Sequence, residues 1–188
     1  VEADNIGYIS VPRIQGDEAY RAGFDTAMTE LTDADAIILD VRNNCGGDPR
    51  TLIHFASWFF REPTHLTSTE GRDRPTRERW TSDDVAGARY ADRPLVILTN
   101  ERSFSAAESF TFGMKISGRA TVVGEATGGG GHWGQELRLS DELVVFMPQG
   151  RTYDPRTGLG WEAQGVQPDI VTSSDEALAA ALTYLAEL

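Results

Sequence analysis

Two short segments of this chain place chemically capable groups at strand-to-helix turns. In Pro94-Leu-Val-Ile-Leu-Thr-Asn-Glu-Arg-Ser-Phe-Ser-Ala-Ala-Glu108, a buried strand pattern is followed by a polar turn and a helix opening near Ser105. A serine there exposes its hydroxyl at the edge of a sheet, and the free N–H groups of the helix start face the charge that develops on an attacked carbonyl oxygen. The same position suits a helix N-cap, which serine also favours. In Ala36-Ile-Ile-Leu-Asp-Val-Arg-Asn-Asn-Cys-Gly-Gly47, a buried strand runs into paired glycines ahead of another helix. Gly46 and Gly47 allow the backbone to bend so that an N–H points into a site, which would supply a second oxyanion donor. An ordinary strand-to-helix connection uses the same residues.

The remaining reactive side chains are few. His54 falls in an apolar helical pattern, and His65 near a strand after Pro63; both suit packing or surface roles. His132 follows the run Gly128–Gly131, after a strand expected to border Ser105, and an imidazole there could serve as a base near neutral pH. Cys45 is the single cysteine, so no internal disulfide is available; it is either a thiol beside the glycine turn or an inert loop residue. The glycine run lacks the Gly-Lys-Ser/Thr ending of a phosphate loop. No His, Cys or carboxylate spacing suits zinc or calcium, so neither metal nor cofactor is expected.

These residues need a scaffold, and hydrophobic periodicity supplies an α/β one. Strands are expected at Ile6 to Val11, Ala36 to Val41, Leu95 to Thr99 and Ala120 to Val123, with helices at Asp17 to Leu31, Arg50 to Phe60 and Ser105 to Lys115 between them. The stretch Thr67 to Arg89, rich in Arg, Asp, Thr and Gly, reads as a long excursion from the core, either a lid or a solvated loop. Glu136 to Leu139 and Glu142 to Met147, joined by Ser140-Asp141, read as a β-hairpin. Asp175 to Leu188 reads as a terminal helix with Leu178, Leu182 and Leu185 on its packing face.

Composition narrows the partners. With 188 residues, 40% of them hydrophobic, residues 1–188 are expected to form one domain around one sizeable core. The net charge of −12 repels nucleic acid and anionic lipid headgroups, so no nucleic-acid partner is expected. No apolar run approaches the roughly 18 to 20 residues of a membrane span, and no membrane insertion by this segment is expected. The chain opens at Val1 and almost at once enters a strand-like run, which suggests a segment of a longer protein lacking an N-terminal domain.

Four ordered motifs resemble the C-terminal-processing (tail-specific) serine proteases: Leu39-Asp-Val-Arg-Asn-Asn-Cys-Gly-Gly47, Asn100-Glu-Arg-Ser-Phe-Ser-Ala-Ala-Glu108, Gly118-Arg-Ala-Thr-Val-Val-Gly-Glu-Ala-Thr-Gly128 and Trp161-Glu-Ala-Gln-Gly-Val-Gln-Pro-Asp169. The resemblance covers nearly the whole chain from Ile6 to Ile170. It implies a crotonase/Clp-protease-like core of ββα units. It also implies Ser105 as nucleophile three residues before Glu108, oxyanion donors at the Ala106 N–H and the Gly46-Gly47 turn, and a peptide or unfolded-protein substrate. Assembly is left open, a homo-oligomer included.

One departure matters. Many members pair the serine with a lysine in a Gly-Lys-Gly turn, and counting from the shared Gly-Arg-Ala block puts Gly130 at that position. Lys115, the only lysine, lies ten residues along the predicted helix, roughly 15 Å from Ser105 at 1.5 Å per residue, too far to take its proton. The pattern is instead similar to the tricorn and interphotoreceptor-retinoid-binding-protein branch, whose catalytic members use a histidine and a glutamate. Glu162 matches that glutamate. The branch's histidine comes from a segment before the core, which leaves His132 as the alternative within this chain. A binding module that has lost its base is the competing expectation.

Overall fold

The computed structural model describes residues 5–188 as two sheets and four helices. The first sheet contains β1 (Ile6–Ser10), β2 (Ala36–Asp40), β5 (Leu95–Thr99), β6 (Thr121–Gly124) and the short β9 (Ile170–Val171), all parallel, in the order β1-β2-β5-β6-β9. The second contains β3 (His65–Gly71), β4 (Arg74–Trp80), β7 (His132–Arg138) and β8 (Val144–Tyr153), all antiparallel, in the order β4-β3-β8-β7. A mixed α/β architecture follows.

Alternation along the parallel strands builds a core on each face. Ile37, Leu39, Leu95 and Ile97 pack with Phe24 and Met28 of α1 (Glu18–Glu30), Leu52 and Phe55 of α2 (Pro49–Ser57), and Phe110 and Met114 of α3 (Ala106–Ile116). Ala36, Ile38, Val96 and Leu98 pack with Ala177, Ala181 and Leu185 of α4 (Ala177–Ala186). Helix starts are chemically marked. The Asp17 carboxylate accepts from the Tyr20 N–H at 2.8 Å, and Asp48 caps α2 by accepting from the Arg50 N–H at 2.7 Å, with Pro49 in the first turn.

The stretch Thr67 to Arg89 departs from its expectation as an irregular excursion. Its first half is the β3–β4 hairpin, and only the residues after Trp80 form an irregular connection to β5. Periodicity fails there because β4 is an edge strand of polar and mostly exposed residues, while the buried positions of β3 are Leu66 and the hydroxyl residues Thr67, Ser68 and Thr69. The β7–β8 hairpin forms as expected but is longer in both arms. Among the described residues no helix is long and apolar enough to cross a membrane.

Candidate active site

Strand order brings the two turns together. β2 and β5 are parallel neighbours, so the loops leaving their C-terminal ends lie side by side, where sites on open α/β sheets form. A polar network fastens them. The Asn43 N–H donates to Asn100 Oδ1 at 2.9 Å, the Phe104 N–H to the Asn44 carbonyl at 2.8 Å, and the Ser103 hydroxyl to the Val41 carbonyl at 2.8 Å. Just before the first turn, burial acts to raise the Asp40 carboxyl, but hydrogen bonds from Arg42 and Tyr8 outweigh it and hold the group below the usual carboxylate range.

Ser105 stands immediately before α3 with φ 54° and ψ −112°, a backbone conformation that a residue with a side chain rarely adopts. Among the described residues the other non-glycine positions with positive φ are Asn43 and Ala163, and both also border this site. Strain gathered in this way marks functional turns. Gly46, with φ 99°, packs so closely that a Cβ would lie 2.9 Å from both the Ala106 nitrogen and the Ser105 Cβ. Its own N–H is occupied, donating to Asn44 Oδ1 at 2.8 Å. The neighbouring Gly47 N–H and the Ala106 N–H have no acceptor among the described residues. Gly46 therefore sets the approach of the two turns, and Gly47 and Ala106 hold the free donors.

Glu108 organises the other side. Fully buried, its carboxylate accepts four hydrogen bonds: from the N–H groups of Ser105 (2.7 Å), Gly129 (2.6 Å) and Gly130 (2.8 Å) and from the Thr127 hydroxyl (2.6 Å). Four donors and the N-terminus of α3 offset the cost of burying the charge. The serine backbone is thus tied to the glycine loop. Glu162 holds the next two residues of that loop, its Oε2 accepting from the Gly131 (2.8 Å) and His132 (2.7 Å) N–H groups. Its Oε1 lies 3.4 Å from His132 Nδ1, and both side chains are close to half exposed. No imidazole or amine among the described residues hydrogen-bonds the Ser105 hydroxyl.

The lysine and the two other histidines are engaged elsewhere. Lys115 Nζ pairs with Asp169 at 2.5 Å, His54 Nε2 lies 2.7 Å from Asp25, and His65 Nε2 lies 3.0 Å from the Ser68 hydroxyl. Cys45 is exposed between Asn44 and Gly46. No cluster of three or more His, Cys, Asp or Glu side chains that could hold a metal ion occurs among the described residues.

The roles of Asn44, Asn100 and Thr127 are not read from the sequence in advance, and Glu108 is placed there only by its spacing from the serine. Signals exist for some of them: Ser-x-x-Glu at a helix start is a capping box, and asparagine ahead of glycine favours turns. Nothing in Thr127 itself announces its carboxylate partner.

A strained serine beside free N–H donors at the start of a helix is an arrangement suited to acyl transfer. The profile of peptidase family S41 matches residues 5–172, and the chain belongs to that family. It is 29% identical over 167 residues to a carboxyl-terminal-processing protease of Synechocystis, covering 89% of this chain and 38% of that protein. It is 30% identical over 173 residues to the tricorn protease of Thermoplasma volcanium, covering 88% of this chain and 15% of that protein. A solved structure of a peptidase from Parabacteroides merdae superposes with a TM-score of 0.81 at 23% identity, over 98% of this chain and 62% of that one, a likeness of fold. The chain thus spans well under half the length of these two curated relatives.

Proposed function

We propose that this chain is the core of a serine peptidase that cleaves unfolded or C-terminal peptide segments by acyl transfer. The observation that carries the reading is Ser105 at positive φ beside the unengaged N–H groups of Gly47 and Ala106. Ser105 Oγ attacks the peptide carbonyl, the two N–H groups hold the oxyanion, and the leaving amine takes the proton returned by the base. The core of ββα units is of the crotonase/Clp kind, and residues 1–188 act as one protease core within a longer protein. An extended substrate adds to a sheet edge through backbone hydrogen bonds. β4 and β7 are the edges of the antiparallel sheet, and β7 begins at His132 beside Glu162.

The base is a histidine. Gly130 stands at the lysine position, and a Cβ there would lie 2.3 Å from the Phe104 ring. Glu162 orients the imidazole through Oε1. We place that imidazole on a segment outside this chain, because His132 faces Glu162 without reaching the serine hydroxyl. A fluorophosphonate probe tests the nucleophile: stoichiometric labelling of the full-length protein, lost in Ser105→Ala together with turnover, is the expected result. If His132→Ala removes the activity of the 188-residue core, the base is His132 and the external histidine is wrong.

That no imidazole or amine among the described residues reaches the serine hydroxyl favours a second reading, a binding module for apolar ligands or peptide tails that keeps the fold without the chemistry. Absence of labelling in intact full-length protein selects that reading.

A further inference from the structure

The β3–β4 hairpin carries an arginine that the catalytic scheme does not use. Arg79 reaches the α3 surface, where its Nη1 lies 3.4 Å from the Ser109 hydroxyl, its one side-chain hydrogen bond among the described residues. A guanidinium has five donors, so most of its capacity is unspent. The side chain is largely withdrawn from water, and burial alone pulls the guanidinium below its ordinary range, with no carboxylate offsetting it. No acidic group among the described residues pairs with it. The other arginines nearby differ: Arg151 is paired with Glu70 at 2.7 Å, Arg74 stacks over the Trp133 ring, and Arg77, two residues back on β4, is exposed to solvent.

Two further donors nearby lack acceptors. Thr67 is the cross-strand partner of Arg79, and its hydroxyl is buried without a hydrogen bond. Trp133 Nε1 is likewise buried and unpaired, and Trp133, Arg77 and Arg79 line a cleft of about 330 Å³ whose two carboxylates are already engaged, Glu70 by Arg151 and Glu78 by the Trp80 Nε1 donor. Buried polar groups are normally satisfied, so orphan donors around an uncompensated cation indicate a missing acceptor. Position identifies what it serves. Ser109 is four residues beyond Ser105, about 6 Å along the axis of α3, and an extended peptide advances about 3.3 Å per residue.

The geometry points to Arg79, with Thr67, as a subsite for a substrate carboxylate within about two residues of the scissile bond. The carboxylate is either the free C-terminus or an acidic side chain. The assignment rests on the peptidase reading for its meaning, but its chemistry can be tested without turnover. The full-length Ser105→Ala variant is titrated with fluorescent peptides in matched pairs, C-terminal acid against amide and Asp or Glu against Asn or Gln near the cleavage point. The same pairs are compared by kcat/KM on the wild type.

One carboxylate form is expected to be preferred at least tenfold, with the preferred pair telling a terminal carboxylate from a side-chain one. Arg79→Gln is expected to bring that ratio close to one, and Arg79→Lys to retain part of it. Thr67→Val provides a second variant that keeps shape and lowers the ratio. Equal affinity for every pair in the Ser105→Ala protein, or a preference that survives Arg79→Gln, overturns the assignment. Carboxylate-dependent binding without any wild-type turnover would keep the subsite and reject the peptidase reading; turnover without charge preference would do the reverse.

Discussion

The two glycine turns that frame Ser105 are held by different forces. At Gly46-Gly47 the backbone meets backbone: a Cβ on Gly47, with φ 146°, would lie 1.7 Å from the Ile14 carbonyl oxygen, and the turn is locked by the Ile14 N–H to Gly46 carbonyl bond at 3.1 Å. At Gly128–Gly131 the surroundings are mixed: a Cβ on Gly129 would lie 3.0 Å from the Ala163 backbone and one on Gly131 2.9 Å from the Glu162 nitrogen, whereas at Gly130 only a side chain is met. Glu108 and Glu162 hold its N–H groups, and the obstacle at Gly130 is the ring of Phe104, itself 43% exposed and free to turn aside. The first turn is fixed by sterics that no condition alters. The second adds two carboxylates, Glu108 and Glu162, as side-chain anchors of its N–H groups.

The largest expected contrast is between Gly47→Ala and Gly130→Ala. The first places a methyl inside a carbonyl oxygen at a φ that disfavours it, and should cost at least about 3 kcal/mol and most of the activity. The second requires only that Phe104 rotate and should cost under about 1 kcal/mol. Chemical denaturation of both variants decides it, and equal losses would remove the distinction between the turns.

Next is the contrast between the two carboxylates. Glu108→Gln sets an amide NH2 against backbone donors in a fully buried site and should lose about 2 to 4 kcal/mol of stability. Glu162→Gln, at a side chain 44% exposed, should change stability by less than about 1 kcal/mol while lowering kcat tenfold or more if it orients the base. A Glu162→Gln enzyme with unchanged kcat would leave Glu162 a loop anchor only.

The smallest effect concerns Asp48, which follows the first turn and caps α2. Its hydrogen bond with the Arg50 side chain, together with backbone N–H donors, lowers its carboxyl to about 2. A carboxyl lowered by folding contributes stability that is fully present above its unfolded value near 3.9 and is lost as pH falls toward about 2. Arg50 is exposed, so the contribution is screened and small. Asp48→Asn keeps a competent cap, and its denaturation midpoint should fall short of the wild type above pH 4 and converge with it near pH 2. A constant offset across that range would assign the difference to the cap and not to the charge.

Much of this molecule was legible from local pattern. The four parallel strands anticipated from periodicity occur within a residue or so of their expected ends, and the central β2 and β5, buried on both faces, leave continuous apolar runs. Asp17 opens α1 as expected because capping is a contact within one turn, whereas the helix expected at Arg50 to Phe60 runs Pro49–Ser57 behind an Asp48 cap. The β3–β4 hairpin was not legible, since its buried positions include Thr67, Ser68 and Thr69 and its edge strand is polar along its length. The two-residue β9 is too short to carry a period.

The sequence by itself determined the parallel-strand scaffold, the glycine pair, the serine at a helix start and the loss of the lysine, all properties of residue type and short spacing. Only the tertiary structure decided that Glu108 gathers Gly129 and Gly130 from 21 and 22 residues away, that Gly47 and not Gly46 keeps its N–H free, and that Arg79 meets Ser109 across 30 residues. The physical reason is that backbone N–H groups are the same at nearly every residue. Which of them converge on one carboxylate, and which are left without an acceptor, depends on strand order and register across the whole fold.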